Sequence, residues 1–146
     1  MKPFSFGLQK VLNLRKHYED EAKIELGRAV GALAELEMKV NVLGEERSRA
    51  AAAQFGQGNN AAMIQQYMLY LMRIDSAKEQ LLKDAAAAEL KVEQAREVFI
   101  EKSREKQILD KLKDKRYKEY RRMVSAEETR VLDDISAGAP ARLKAV

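Results

Sequence analysis

The sequence predicts an all-α chain: two long helices folded back on one another as an antiparallel coiled-coil hairpin, helix two longer and overhanging at the terminal end. Three observations carry this. Between Ala22 and Ala50 small or apolar residues recur at alternating steps of four and three, at Ala22, Leu26, Ala29, Leu33, Leu36, Val40 and Leu43, then Arg47 and Ala50. That is the spacing of a coiled-coil seam. After a break the same spacing returns as Ile64, Tyr67, Leu71, Ile74, Lys78, Leu81, Ala85, Ala88, Val92, Ala95 and Phe99. Between the two runs lies Phe55-Gly-Gln-Gly-Asn-Asn60, whose glycines and asparagines tolerate the left-handed backbone that a chain reversal needs.

Taken in order, Pro3 fits just outside or at the first turn of a helix, and the Ser5 hydroxyl is placed to cap the first helix. Helix one is expected from about residue 6 to about 54, the turn over 55–60, and helix two from about 61 to about 136, with a frayed tail over 137–146. Asn60 is the expected N-cap of helix two, which meets no glycine or proline before Gly138. All of 1–146 reads as a single domain. At 1.5 Å per residue the helices measure roughly 75 Å and roughly 115 Å. If residues 54 and 61 face one another, the end of helix two extends past the start of helix one. Its apolar residues Tyr117, Tyr120, Met123, Val131 and Ile135 then need cover, either from the N-terminal segment or from a partner.

Composition agrees. Charged residues make up 34% of the chain and aromatics 6%, and both prolines, Pro3 and Pro140, lie outside the periodic region. That argues against a globular core and for a long-helix class. Burial per residue is thin in a two-helix packing, so helix propensity carries part of the stability. The chain has no cysteine, which removes disulfides, thiolate metal sites and cysteine nucleophiles. Gln9 and Lys10 interrupt the start before an apolar stretch can form, so no signal peptide is read and a cytoplasmic location is expected. The longest strongly apolar run, Tyr67 to Met72, is far short of the roughly 20 residues that span a bilayer.

Charge is uneven. Residues 1–16 hold Lys2, Lys10, Arg15 and Lys16 and no acid, and residues 102–122 hold ten basic and four acidic side chains, within a chain of net charge +4. Antiparallel pairing brings these segments to one end and gives it a basic character. Residues 17–50 hold eight acids and five bases, so the neighbouring shaft is mildly acidic. Gly27, Gly31 and Ala34 form a small-residue pattern that reads either as a close-approach or bending site or as surface tolerance.

Several chemistries find no support. A phosphate-binding loop needs glycines leading to Gly-Lys-Ser/Thr, and none is present. His17 has no second ligand type at metal spacing. Asp133 and Asp134, like Glu127 and Glu128, are adjacent on a helix and so point about 100° apart, away from a shared proton. An enzyme is not expected, nor a cofactor or metal. Lys111, Lys115, Lys118 and Arg122 recur at helical spacing and would make one cationic stripe able to track phosphates. Asp110, Asp114 and Glu119 interleave with it, and Asp114 to Lys118 is a favourable i to i+4 pair. A self-paired solvated surface is therefore expected, and no nucleic-acid partner. An acidic protein surface matches such an interspersed pattern better.

The opening Phe4-Ser-Phe6-Gly-Leu8-Gln9-Lys-Val11-Leu12-Asn-Leu14-Arg15 resembles the start of the flagellar type III export protein FliJ family, in which Phe-x-Phe-x-Leu-Gln-x-Val-Leu-x-x-Arg precedes a run of heptads. A charged helix opening at Glu101-Lys102, with Leu109, Leu112, Tyr117 and Tyr120, is similar too, as is the closing Glu127-Glu-Thr-Arg-Val-Leu-Asp133-Asp134-Ile135. The resemblance implies a two-helix antiparallel coiled coil like the central stalk of rotary ATP synthases. Such a protein inserts its terminal end into the hexameric export ATPase, promotes ring assembly and activity, links it to the cytoplasmic domain of the export gate, and handles export chaperones. It further implies a monomer when alone, at the flagellar base, touching the inner membrane only peripherally through partners.

The resemblance also implies two contact surfaces. The basic pole would meet the ATPase through Phe4, Phe6, Leu8, Gln9, Arg15, Lys113, Arg116, Tyr120 and Arg122. The hairpin tip would meet the gate through Leu43, Tyr67, Tyr70, Ile74 and Ala77. Tyr67 and Ile74 also sit on the seam, where packing explains them, whereas Tyr70 is off it. Helix one carries Glu46 and Ala50 where the family can carry tyrosines. The alternatives are the equivalent stalk of a virulence type III secretion system and a generic coiled-coil scaffold or chaperone.

Overall fold

The computed structural model describes residues 2–144, with side chains as far as Ala139. α1 spans Gln9–Gln54 and α2, the longer, spans Ala61–Lys144. The two pack as a helical hairpin, and no strand occurs among the described residues. Contacts group the chain into two units: Glu19–Glu101, and the residues up to Tyr18 together with those from Lys102 onward. No helix of the described residues is long and apolar enough to cross a membrane.

In the unit Glu19–Glu101 the heptad positions are the ones that lose solvent. Ala22, Ala50, Ile74, Ala88 and Val92 are buried, and Leu26, Ala29, Leu33, Leu36, Val40, Leu43, Ile64, Tyr67, Leu71, Lys78, Leu81, Ala85, Ala95 and Phe99 are half-buried. Arg47, on the seam by count, stays exposed and reaches across to Asp75. A guanidinium at the edge of a thin seam keeps its charge hydrated while its fork takes a carboxylate.

The turn is built by asparagine and glycine. The Asn59 side-chain amide donates to the carbonyls of Ala53 (2.7 Å) and Gln54 (3.1 Å), two of the acceptors that the end of α1 leaves open. Gly58 has φ +85°, a left-handed conformation that side chains resist. The Asn60 Oδ1 accepts the Met63 N–H at 2.9 Å while its carbonyl accepts the Ile64 N–H at 3.1 Å, which is the N-cap arrangement expected of it.

The structure differs from the sequence expectation in the start and cap of α1, in the end of α2 and in the pairing register. α1 begins at Gln9 rather than near residue 6. Leu8, not Ser5, stands at its N-cap position, accepting the Leu12 N–H at 2.9 Å, because the chain before it is drawn out to pack Phe4 on α2. α2 continues past 136 through Gly138 and Pro140 to Lys144. A glycine weakens a helix by about 1 kcal/mol without ending it. The last two residues of the expected tail lie outside the described residues. The register is also shifted: counting from 54 and 61 as partners, Arg47 would face Met68, but it pairs with Asp75, two turns on. α2 joins the pairing only at Ile64, whose carbonyl accepts from the Gln54 side-chain amide at 3.5 Å. Finally, a Cβ added at Gly27 or Gly31 would meet nothing within 4 Å, so these glycines mark no close approach.

The second unit is held by different means. Leu12 is buried and Arg15 forms an ion pair with Glu105, which Lys102 also approaches at 3.8 Å. The Lys102 ammonium lies 5.7 Å from the centre of the Tyr18 ring, within cation–π range.

Candidate functional site

The pole residues fall in the unit formed by the N-terminal segment, the start of α1 and α2 from Lys102. Pro3 and the lack of a helical ladder before Gln9 leave residues 2–6 free to run along α2, and aromatic rings decide where they settle. Phe4 meets Tyr117 edge-on at 5.2 Å between ring centres and an interplanar angle of 75°, and meets Tyr120 at 5.5 Å. The Tyr120 hydroxyl donates to the Lys2 carbonyl at 2.9 Å, supplying a partner that the extended backbone lacks. The N-terminal segment thus supplies part of the cover that the apolar residues of α2 required: Tyr120 is half-buried, whereas Tyr117 and Met123 stay 47% and 58% exposed, and Val131, Leu132 and Ile135 52%, 63% and 64%.

Among the expected pole residues, Phe4, Phe6, Leu8, Arg116 and Tyr120 come together around one open hollow of 580 Å³ that Leu112, Glu119 and Met123 complete. The hollow offers aromatic and aliphatic walls with a guanidinium and a carboxylate at its edge, a surface suited to an apolar anchor from a protein partner. Lys113 is half-buried one turn from Leu109 and Tyr117. Gln9 donates to Asn13 at 2.9 Å and so serves its own helix. Arg15 is committed to Glu105. Arg122 is exposed on the far side of α2 and does not join the hollow. The sequence analysis named Tyr117 and Met123 as apolar residues in need of cover and Leu112 in the resemblance, but assigned none of the three to the pole contact. The signal for them was available as apolar residues at helical spacing around Tyr120.

The tip residues fall in the unit Glu19–Glu101 and divide by burial. Ile74 is 4% exposed and offers nothing to a partner. Tyr67 and Leu43 are half-buried on the seam. Leu43 sits with Met38, Val42 and Leu81 around a small apolar hollow, at a level of α2 three turns from Tyr70. Tyr70, 44% exposed, and Ala77 point outward. With Met63, 41% exposed, they recur every seventh residue and so line one flank of α2. Sequence reasoning missed Met63, and with it Met68 and Met72, 54% and 60% exposed on the opposite side. These flexible thioethers suit an adaptable protein surface.

Arg47 and Asp75 stand in the same unit. The Arg47 Nε and Nη2 donate to the two Asp75 oxygens at 2.6 and 3.4 Å. That hydrogen bond is the main reason the Asp75 carboxyl is held below the ordinary carboxylate range, with the charges of Arg47 and Lys78 adding to it. Arg47 is correspondingly held above its usual value. Ala50, where a tyrosine can stand in the similar family, is buried at 6% and has no room for a ring. Among the described residues no group of acids and histidines is arranged to hold a metal ion.

Compared with known proteins, the chain is matched from residue 4 to residue 144 by the family model described as Flagellar FliJ protein. No curated protein and no solved structure matches it.

Proposed function

The chain belongs to the flagellar FliJ protein family, which gives it a role in flagellar export, and within that role we propose that it is a non-enzymatic stalk and adaptor. Its pole enters the hexameric export ATPase and promotes assembly and activity of the ring. Its tip reaches the cytoplasmic domain of the export gate, and it receives export chaperones, working at the flagellar base. The observation that carries this reading is the hollow walled by Phe4, Phe6, Leu8 and Tyr120 with Arg116 at its rim. It is an exposed apolar and cationic surface on a chain whose family match covers nearly its whole length. In the other unit the exposed Tyr70 and Ala77 supply a second contact that does not compete with the first.

A pull-down with the export ATPase and with the gate's cytoplasmic domain tests both contacts. Reversing Lys113 and Arg116 to Glu is expected to weaken stimulation of the ATPase, more so at low salt, where charge contacts are least screened. Stimulation that survives the reversal removes the pole assignment. Tyr70→Ala is expected to leave helicity unchanged and to weaken gate binding about tenfold or more, as loss of an aromatic anchor does. Unchanged gate binding removes the tip assignment.

A further inference from the structure

Between Arg104 and Arg122 the half-buried positions of α2, Glu105, Lys106, Leu109, Asp110, Leu112, Lys113 and Tyr120, mark the side packed within its unit. At about 100° per residue, Arg104, Lys111, Lys115, Lys118 and Arg122 fall on the opposite side, within about one sixth of the circumference and along about 27 Å of helix. All five are exposed. The self-pairing expected from the sequence does not form: Lys118 makes no ion pair with Asp114, and none of the five is ion-paired among the described residues. Lys111, Lys115, Lys118 and Arg122 instead share one stretch of surface, with Asp114 and Glu119 at its margins. Arg104, about two turns before Lys111, extends the line.

We propose that this stripe docks on the anionic surface of a lipid bilayer. A straight row of cations on one side of a stiff helix can meet a flat layer of phosphates at every position at once, and attraction of that kind acts within a Debye length of the surface. Ile108 lies in the same row between Arg104 and Lys111 and is 66% exposed. An apolar side chain among cations on an interfacial helix inserts at headgroup level. A nucleic-acid strand fits less well. It draws on rings interleaved with the cations to stack its bases, and no aromatic residue stands within the row; Tyr117 and Tyr120, the rings of this stretch of α2, are packed with Phe4 to the side of it. A duplex curves away from a straight row and meets only part of it. The stripe shares its stretch of α2 with the hollow and meets it at Glu119, so the bilayer contact is one the chain makes while its pole is outside the ATPase ring; it needs no contact to the gate.

Flotation of the full chain with vesicles of phosphatidylcholine, with and without phosphatidylglycerol, is the test. Binding is expected only to the anionic vesicles and is lost as salt approaches about 1 M, where the Debye length falls to about 3 Å. The triple variant Lys111→Gln, Lys115→Gln, Lys118→Gln keeps residues of good helix propensity and is expected to bind more than about tenfold more weakly. A variant with Lys23→Gln, Lys83→Gln and Lys91→Gln, which removes the same charge elsewhere, keeps its binding. Circular dichroism checks that both remain helical. The idea is overturned if the native chain does not float with anionic vesicles, if the two triple variants bind alike, or if duplex DNA at equal phosphate concentration strips the chain from the vesicles.

Discussion

At the scale of single residues, the turn and the one bidentate pair across the seam set the register of the unit Glu19–Glu101. Asn60 supplies one acceptor from its side chain and one from its backbone, and caps of this kind are worth about 1 kcal/mol. The Arg47 to Asp75 pair then fixes which turn of α2 stands beside which turn of α1. Both side chains are exposed, so the pair orients more than it stabilises. Its pH dependence nonetheless has a definite sign. Asp75 titrates below an unfolded carboxyl, so its contribution is complete above the ordinary carboxylate value of about 4. It fades as the pH falls from there through the depressed native value. Asp75→Asn is therefore expected to lower the melting temperature slightly at neutral pH, and the gap to the native chain should close on acidification below that range. A gap that persists unchanged in acid means the carboxylate charge is not what holds the register.

At the scale of elements, the most consequential one is the segment before α1, which has no helix or sheet ladder and is held by side chains. Phe4 carries it, through contacts with two rings that each contribute about 0.5–1.5 kcal/mol beyond their burial. Phe4→Ala is expected to release the residues before Gln9, seen as faster proteolysis within them, with little change in far-UV circular dichroism because those residues are not helical. Tyr120→Phe loses only the hydroxyl bond to Lys2 and should show the same change more weakly. If helicity falls broadly in Phe4→Ala, the segment supports α1 rather than merely lying on α2. The same element shows where the sequence stops being readable. The two seams were legible position by position, since burial follows their period and a one-residue slip would expose it. The start of α1 was not, because Ser5 is a good local cap and only the distant Tyr117 and Tyr120 make an extended chain the better choice. The register was not legible either, since it depends on how many residues Asn59 and Asn60 consume in capping both helices. For the pole, the resemblance carried by the Phe-x-Phe opening named Phe4 and Phe6, which line the hollow, while Arg15 and Gln9 are claimed by neighbours that no local pattern reveals.

At the scale of the whole molecule, stability is spread thinly. Only Leu12, Ala22, Ala50, Ile74, Ala88 and Val92 form the buried apolar set among the described residues, and no side chain there is fully enclosed. Three of the six are alanines, so no central cluster exists whose loss unfolds everything. Each stretch is held by its own turns and by the residues beside it, as in a repeat array where interactions reach only near neighbours. Ala87→Pro examines this directly. Ala87 is exposed in mid α2, so the substitution disturbs no packed side chain. It removes the N–H that reaches the Lys83 carbonyl and clashes with that carbonyl, costing about 3 kcal/mol or more. Helix regrowth on either side needs a fresh nucleus, so the loss of helicity should exceed one turn. Hydrogen exchange should then lose protection through the neighbouring turns of Glu19–Glu101, while amides around Leu12 and Leu109, held by the Arg15 to Glu105 pair and the aromatic contacts of Phe4, keep theirs. Uniform loss of protection from Gln9 to Val124 would instead mean that the two units of contacts fold as one cooperative body, and that thin burial is offset by coupling along the helices rather than by local packing.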